Sequence, residues 1–356
     1  MNSIKFIFSS LFSNQKIIDE SKKRPWWLAI IIFILSLVIA IVPVTVSYMN
    51  VKGSNVLTAS TNYSLDLSVK QLSYQLSNLE GVEASVKNKQ FSMTKDDKDY
   101  TEPIKVATDD GTWLMNTIYV PLTSTDKNYT NELNRVKKDL SLLDKIAKEP
   151  DSSLESDHFQ SYVHSMMIFT KSEFHLYVYE GSAKVTYKED DKGVIEIVTD
   201  ASTKGTMIGT FDKVEGKCSQ ISSFYDKSLS HSEAIEKSYD LWVDFLDKAY
   251  EAPRNKAAIN VTLVYSGINF LIIIVMSLTA FLLSRLKSSI RKYSFLQSLK
   301  MISFASLSPS LIGLLLGLLI PSTQAVSFIV CIGLRSTWLI MKATSPASNS
   351  GGAIRK

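Results

Sequence analysis

From Ala257 to Lys356 the sequence contains no aspartate and no glutamate. Only Asp19 and Glu20 lie before Trp26, so the other 33 acidic residues fall between Met49 and Lys256. That stretch carries 25 lysines and arginines and has a net charge of about −8. The flanking stretches carry 14 basic and two acidic residues, which brings the 356-residue chain to +4. An acidic central block gives no electrostatic ground for binding nucleic acid.

Cysteine is nearly as scarce. Cys218 lies in the polar block and Cys331 in an apolar run, so no disulfide framework is expected. Lys213 and Lys217 near Cys218 could lower a thiol pKa, but the plain reading is an inert thiol. The four histidines are His158, His164, His175 and His231. No two are three or four residues apart, and there is no His-Glu-x-x-His, so no metal is expected. Gly-x-Ser-x-Gly, phosphate-loop and dinucleotide patterns are also missing. The sequence therefore implies no catalytic residues and no cofactor, and a protein that is not an enzyme.

Long apolar runs are what the chain does have. Leu28 to Val46 is free of charge and follows "KKRPWW". Its length matches one hydrocarbon core, about 30 Å at roughly 1.5 Å per helical residue. Trp26 and Trp27 sit where amphipathic rings anchor at the headgroup layer. A signal peptide has a shorter core and a small-x-small exit, whereas this run leaves through Val-Pro-Val-Thr-Val. We read it as a retained anchor. Ala257 to Leu283 is a second charge-free run, with Asn260, Thr262, Ser266 and Asn269 along its first half. Met301 to Leu334 is charge-free but too long for one span, and Pro321-Ser-Thr-Gln324 divides it.

This gives four spans, over 26–47, 257–284, 301–320 and 325–341. The remaining segments are a basic N-terminal stretch over 1–25, a central domain over 48–256, a basic loop over 285–300 and a tail over 342–356. All three basic segments fall on one side of a four-span chain. The positive-inside rule makes that side cytoplasmic and puts 48–256 outside a plasma membrane. The first residues, "SIKFIFSSLFSNQKII", bring Ile4, Ile7 and Leu11 near one helical face, as in a helix lying on the inner leaflet.

Within the central block, Leu65, Val69, Leu72, Leu76 and Leu79 repeat at helical spacing, with Gly81 as the stop. "TWLMNTIYVPL" reads as a strand, and "NELNRVKKDLSLLDKIAKE" as an amphipathic helix ended by Pro150. From Glu173 the period becomes two, and the following segments read as an antiparallel meander. Ser230 and Glu233 form a capping box for a last helix, which Pro253 is expected to break. The fold class is thus four transmembrane α-helices with an extracytoplasmic α+β domain between the first two.

Inside the apolar runs, Gly313 and Gly317 form a small-xxx-small packing pair, and Pro309 is expected to kink the third span. Arg335 is the one charge within a span. Its sequence neighbours suggest that it snorkels two turns towards Lys342. The alternative is pairing inside the membrane, where no acid exists and backbone carbonyls, lipid phosphate or a partner subunit would have to serve.

Arg291-Lys292-Tyr293 followed by "FLQSLKMISFASLSPSLIGLLL", with Ala305, Pro309 and Leu311, resembles the span entry of a family of uncharacterised bacterial membrane proteins. Some of its members are labelled maltodextrin utilisation membrane proteins. The layout of one span, an outer domain and three closing spans is similar across nearly the whole chain. The resemblance implies an envelope role accessory to carbohydrate uptake, with the lipid bilayer and membrane-protein or transporter subunits as partners. It carries over no catalytic residue, and the oligomeric state is left open.

Overall fold

The computed structural model describes residues 3–58, 65–108, 113–142, 160–162, 165–179, 184–189, 195–199, 203–286, 292–323 and 326–344. His158, His164, Pro150, residues 287–291 of the basic loop and residues 345–356 of the tail lie outside these residues.

The helices are α1 (Ser3–Phe12), α2 (Asn14–Glu20), α3 (Trp26–Met49), α4 (Leu65–Asn78) and α5 (Tyr129–Leu142). They continue with α6 (His231–Leu283), α7 (Phe295–Ala305), α8 (Leu307–Leu319) and α9 (Ser327–Thr344). The chain divides into a helical unit, residues 1–50 and 255–356, and a sheet-containing unit, residues 51–254.

In the sheet-containing unit, β1 (Val82–Lys87), β2 (Gln90–Lys95) and β3 (Lys98–Asp99) form one antiparallel sheet. Asn88-Lys89 and Asp96-Asp97 all have positive φ, the geometry that closes tight hairpins. The main sheet contains β4 (Ile104–Ala107), β5 (Trp113–Val120), β7 (Ser165–Thr170), β8 (Glu173–Tyr179) and β11 (Thr203–Thr210). Its order is β11-β8-β7-β5-β4, and β5 and β7 run parallel. Strands β6 (Gln160–Tyr162), β9 (Lys184–Glu189) and β10 (Ile195–Thr199) make a third sheet.

The expected meander is therefore corrected. β8 pairs with β11, while the hairpin between them in sequence joins β6 instead. Period-two alternation identifies strands but not which strand each one pairs with.

Every residue of β7 is buried, because both faces of this central strand are covered. Met167 and Phe169 join a cluster with α4 and α6, while Met166 and Ile168 pack with Val136 and Leu140 of α5. The stripe Leu65, Val69, Leu72 and Leu76 lies in the first cluster, so α4 packs on its own domain. Gly81 follows α4 with φ +74°, a conformation that favours glycine. The centre is aromatic: Phe91 stacks on Phe169 at 4.5 Å between centroids, and Trp242 meets Phe245 edge-on. The Trp242 indole N–H donates to Ser73 Oγ at 2.7 Å, satisfying the one polar atom that this ring buries.

The capping box forms: Glu233 N–H donates to Ser230 Oγ, and Ser230 N–H donates to Glu233 Oε2. α6 then runs on through Pro253 to Leu283, against expectation. Proline removes one i→i−4 bond, but the long regular segments on both sides carry the helix across it.

Among the described residues three helical segments are long and apolar enough to cross a membrane: Trp26–Met49, His231–Leu283, whose part from Asn255 lies in the helical unit, and Phe295–Leu319. The count expected from the sequence was four. α9, which carries Arg335 and Lys342, is not among the three. The third segment begins at Phe295, earlier than 301, because Ser294 and Gln297 form a capping box there. It is interrupted at Ser306 between α7 and α8.

Candidate functional site

The helical unit is built inside out. On α3, Ala29, Ile32, Ser36, Ala40 and Val44 are buried, while Ile30, Ile31, Ile34, Leu35 and Val38 are exposed. Two buried serines spend their hydroxyls on their own helices: Ser277 donates to Ile273 O and Ser310 to Ser306 O. α8 approaches α9 closely at Gly313. A Cβ there would lie 3.1 Å from the Phe328 backbone nitrogen, so the glycine permits the contact. Gly317, one turn on, is also buried. Trp26 and Trp27 open α3 and are both substantially exposed.

Arg335 is the chemical centre of this unit. Instead of extending towards Lys342, its guanidinium turns inward. Nε donates to Asn14 Oδ1 at 3.2 Å, Nη1 to Ala305 O at 3.0 Å, and Nη2 to Ser10 O. Each partner has a local cause. Ala305 ends α7, and its carbonyl would be the i→i−4 acceptor for residue 309. Residue 309 is proline and has no N–H to give, so the carbonyl is left for Arg335. Pro309 thus lies within the first turn of α8, and the interruption falls three residues earlier, at Ser306. Ser10 lies in the last turn of α1, where helix carbonyls lack partners and the dipole is negative. Asn14 opens α2, whose cap is Ser13. One cation therefore closes the C-terminal ends of α1 and α7 and takes a side-chain amide as well. The Asn14 amide nitrogen is buried without a partner.

This arrangement corrects two expectations. Arg335 does not snorkel, and α1 is not a helix with one free apolar face. Phe6 of α1 is fully buried, edge-on to Phe304 at 4.9 Å, and Ile7 and Leu11 pack on the same cluster. Ile4, grouped with them from the sequence, is exposed.

The sheet-containing unit has its own polar cluster, which the histidine spacing did not reveal. The Tyr129 hydroxyl lies 2.7 Å from His175 Nε2 and 3.2 Å from Glu173 Oε2, and the last two atoms are 3.3 Å apart. The hydrogen bond from His175 holds the Glu173 carboxyl below its usual range, against the opposing effect of burial. Burial pushes the Tyr129 phenol up to about 12. These residues meet only because the start of α5 lies against β8. Cys218 is buried, and burial raises its thiol; its lysine neighbour is Lys248 at 3.5 Å, not Lys213 or Lys217. Among the described residues no group of three acidic, histidine or cysteine side chains is placed to hold a metal ion.

Comparisons with family models, curated proteins and solved structures return no match.

Proposed function

We propose that this chain is a multi-pass plasma-membrane protein. Its spans are 26–47, 257–284, 301–320 and 325–341, its termini are cytoplasmic, and residues 48–256 lie outside. The observation that carries this reading is the outward-facing apolar surface of the helical unit. Ile30, Ile34, Leu263, Leu271, Leu282, Leu315 and Leu319 are all exposed. A surface of that extent is stable only against acyl chains or a partner. The basic, acid-poor segments between the spans supply the orientation.

The outer domain binds a partner or ligand rather than catalysing a reaction, in a role accessory to envelope or carbohydrate-uptake processes. A second reading is an integral component of a transport complex. Arg335 held within the helical unit favours it, since ionisable groups at membrane depth mark ion and substrate paths.

Two experiments test the proposal. Single cysteines at Ser230 and Lys16, both exposed, are introduced into a protein lacking Cys218 and Cys331. A membrane-impermeant thiol reagent should label the first on intact cells and the second only after lysis. Labelling of both on intact cells defeats the topology. Purification in mild detergent then separates the functions. A stoichiometric ATPase subunit selects the transport reading, and a monomer without any partner sinks both.

A further inference from the structure

An apolar cavity of about 310 Å³, at the lower end of the range for ligand pockets, lies in the helical unit. Its walls include Trp26, Ile30, Phe33 and Ile34 of α3, Phe270 of α6 and Leu299 of α7. Phe33 and Phe270 meet edge-on at 5.7 Å, which gives the cavity a stiff aromatic side. Ile30, Ile34 and Phe270 are exposed, so the cavity opens on the apolar face that acyl chains would cover.

A cation lies at its Trp26 end. The Lys300 ammonium is 5.8 Å from the Trp26 ring centroid, on the helix that also supplies Leu299. Lys300 is only 7% exposed. Among the described residues its acceptor is Arg24 O, and no carboxylate lies within ion-pair distance. An ammonium has three protons to donate, and a buried one without a counter-ion is costly. Lys22 and Lys23, both exposed, precede Trp26 by a few residues and add positive charge at this end.

Resting on the membrane reading above, we propose that this cavity holds one anionic phospholipid. An acyl chain lies between Trp26, Phe33 and Phe270, and the phosphate supplies the counter-ion of Lys300. Acyl chains fill any apolar groove in a bilayer, so selectivity comes from the cationic end. A cation near the membrane surface contributes on the order of one kcal/mol towards an anionic headgroup, and a desolvated one more.

The test uses the full chain in phosphatidylcholine vesicles with a minor share of phosphatidylglycerol, the bromine being carried on the chains of one lipid or the other. Trp26 fluorescence is obtained as the difference from the Trp26→Phe protein. At equal bromolipid content, quenching should be stronger from phosphatidylglycerol, corresponding to about tenfold local enrichment. Lys300→Gln should abolish that excess and leave quenching by phosphatidylcholine. Equal quenching by both lipids in the parent protein overturns the proposal.

If Lys300→Gln fails to fold, the melting temperature of the parent in mild detergent decides. It should rise with phosphatidylglycerol and not with phosphatidylcholine or inorganic phosphate. An equal rise with both lipids, or none with either, overturns the site. Flotation of the parent with vesicles is scored separately: a protein that does not float defeats the membrane reading itself.

Discussion

The two units use the same apolar residues in opposite directions. In the sheet-containing unit Phe169, Phe174 and Phe211 gather around Phe245, Phe91 stacks on two of them and Trp242 meets Phe245 edge-on, while charges cover the outside. In the helical unit alanine, serine and glycine occupy many of the interior positions, while isoleucine and leucine face outward. The first pattern removes apolar surface from water and gains from doing so. In the bilayer proposed above, the second would have no such gain to make and would depend on close backbone approach. The units should therefore respond differently to mutation.

The largest effect is expected at Trp242. Trp242→Ala opens a cavity in the outer core, removes the N–H donor to Ser73 Oγ and should cost about 4 kcal/mol, read by denaturant unfolding of the full chain. A loss below about 1 kcal/mol would mean that the aromatic cluster is not the core of that unit. Arg335→Leu comes next. It leaves Ala305 O, Ser10 O and Asn14 without their donor, and hydrogen bonds to a charged group contribute roughly 1.5–3 kcal/mol. Melting in detergent should show the loss, and Arg335→Lys should recover little of it, because one ammonium cannot match a planar fork reaching three acceptors.

Gly313→Leu should cost about 2 kcal/mol by forcing α8 away from Phe328, again read as a lower melting temperature. The smallest measurable change is Tyr129→Phe, about 1 kcal/mol in the outer unit. The same cluster sets a pH dependence. Because the folded Glu173 carboxyl titrates below its unfolded value of about 4.3, its contribution is fully present above that value. It is lost as pH falls through the lower folded value. Glu173→Gln should lower stability in the neutral range and flatten its fall in that acidic window, the two proteins converging at low pH. Leu315→Ala, on the exposed face of α8, is the control expected to stay within about 0.5 kcal/mol.

Much of the architecture was legible because it rests on local signals. The apolar run after Trp27 appears as α3, the stripe from Leu65 as α4, and the Ser230–Glu233 pair as a formed cap. Sequence failed where the deciding contact is long-range. Nothing near β8 in the chain says that it pairs with β11 across a hairpin belonging to another sheet. Pro253 was read from its own ring alone, whereas the helix on either side overrides it. Arg335 and Pro309 were each visible as anomalies. Their connection was not, because it runs through a carbonyl, Ala305 O, that every residue possesses. The Tyr129–His175–Glu173 cluster was hidden for the same reason, with the tyrosine 46 positions from the histidine.

The arginine node also has a consequence in time. Ser10 and Arg335 are separated by 325 positions, so the ribosome finishes α1 and α2 long before their cation exists. Until α9 is made, the Ser10 and Ala305 carbonyls and the Asn14 amide must be served by other partners such as water. The arrival of Arg335 then closes the bundle in one late step, joining early and late segments of the chain. A product truncated before that point would carry open helix ends. Arg335 thereby makes finished and unfinished copies chemically different at the ends of α1 and α7.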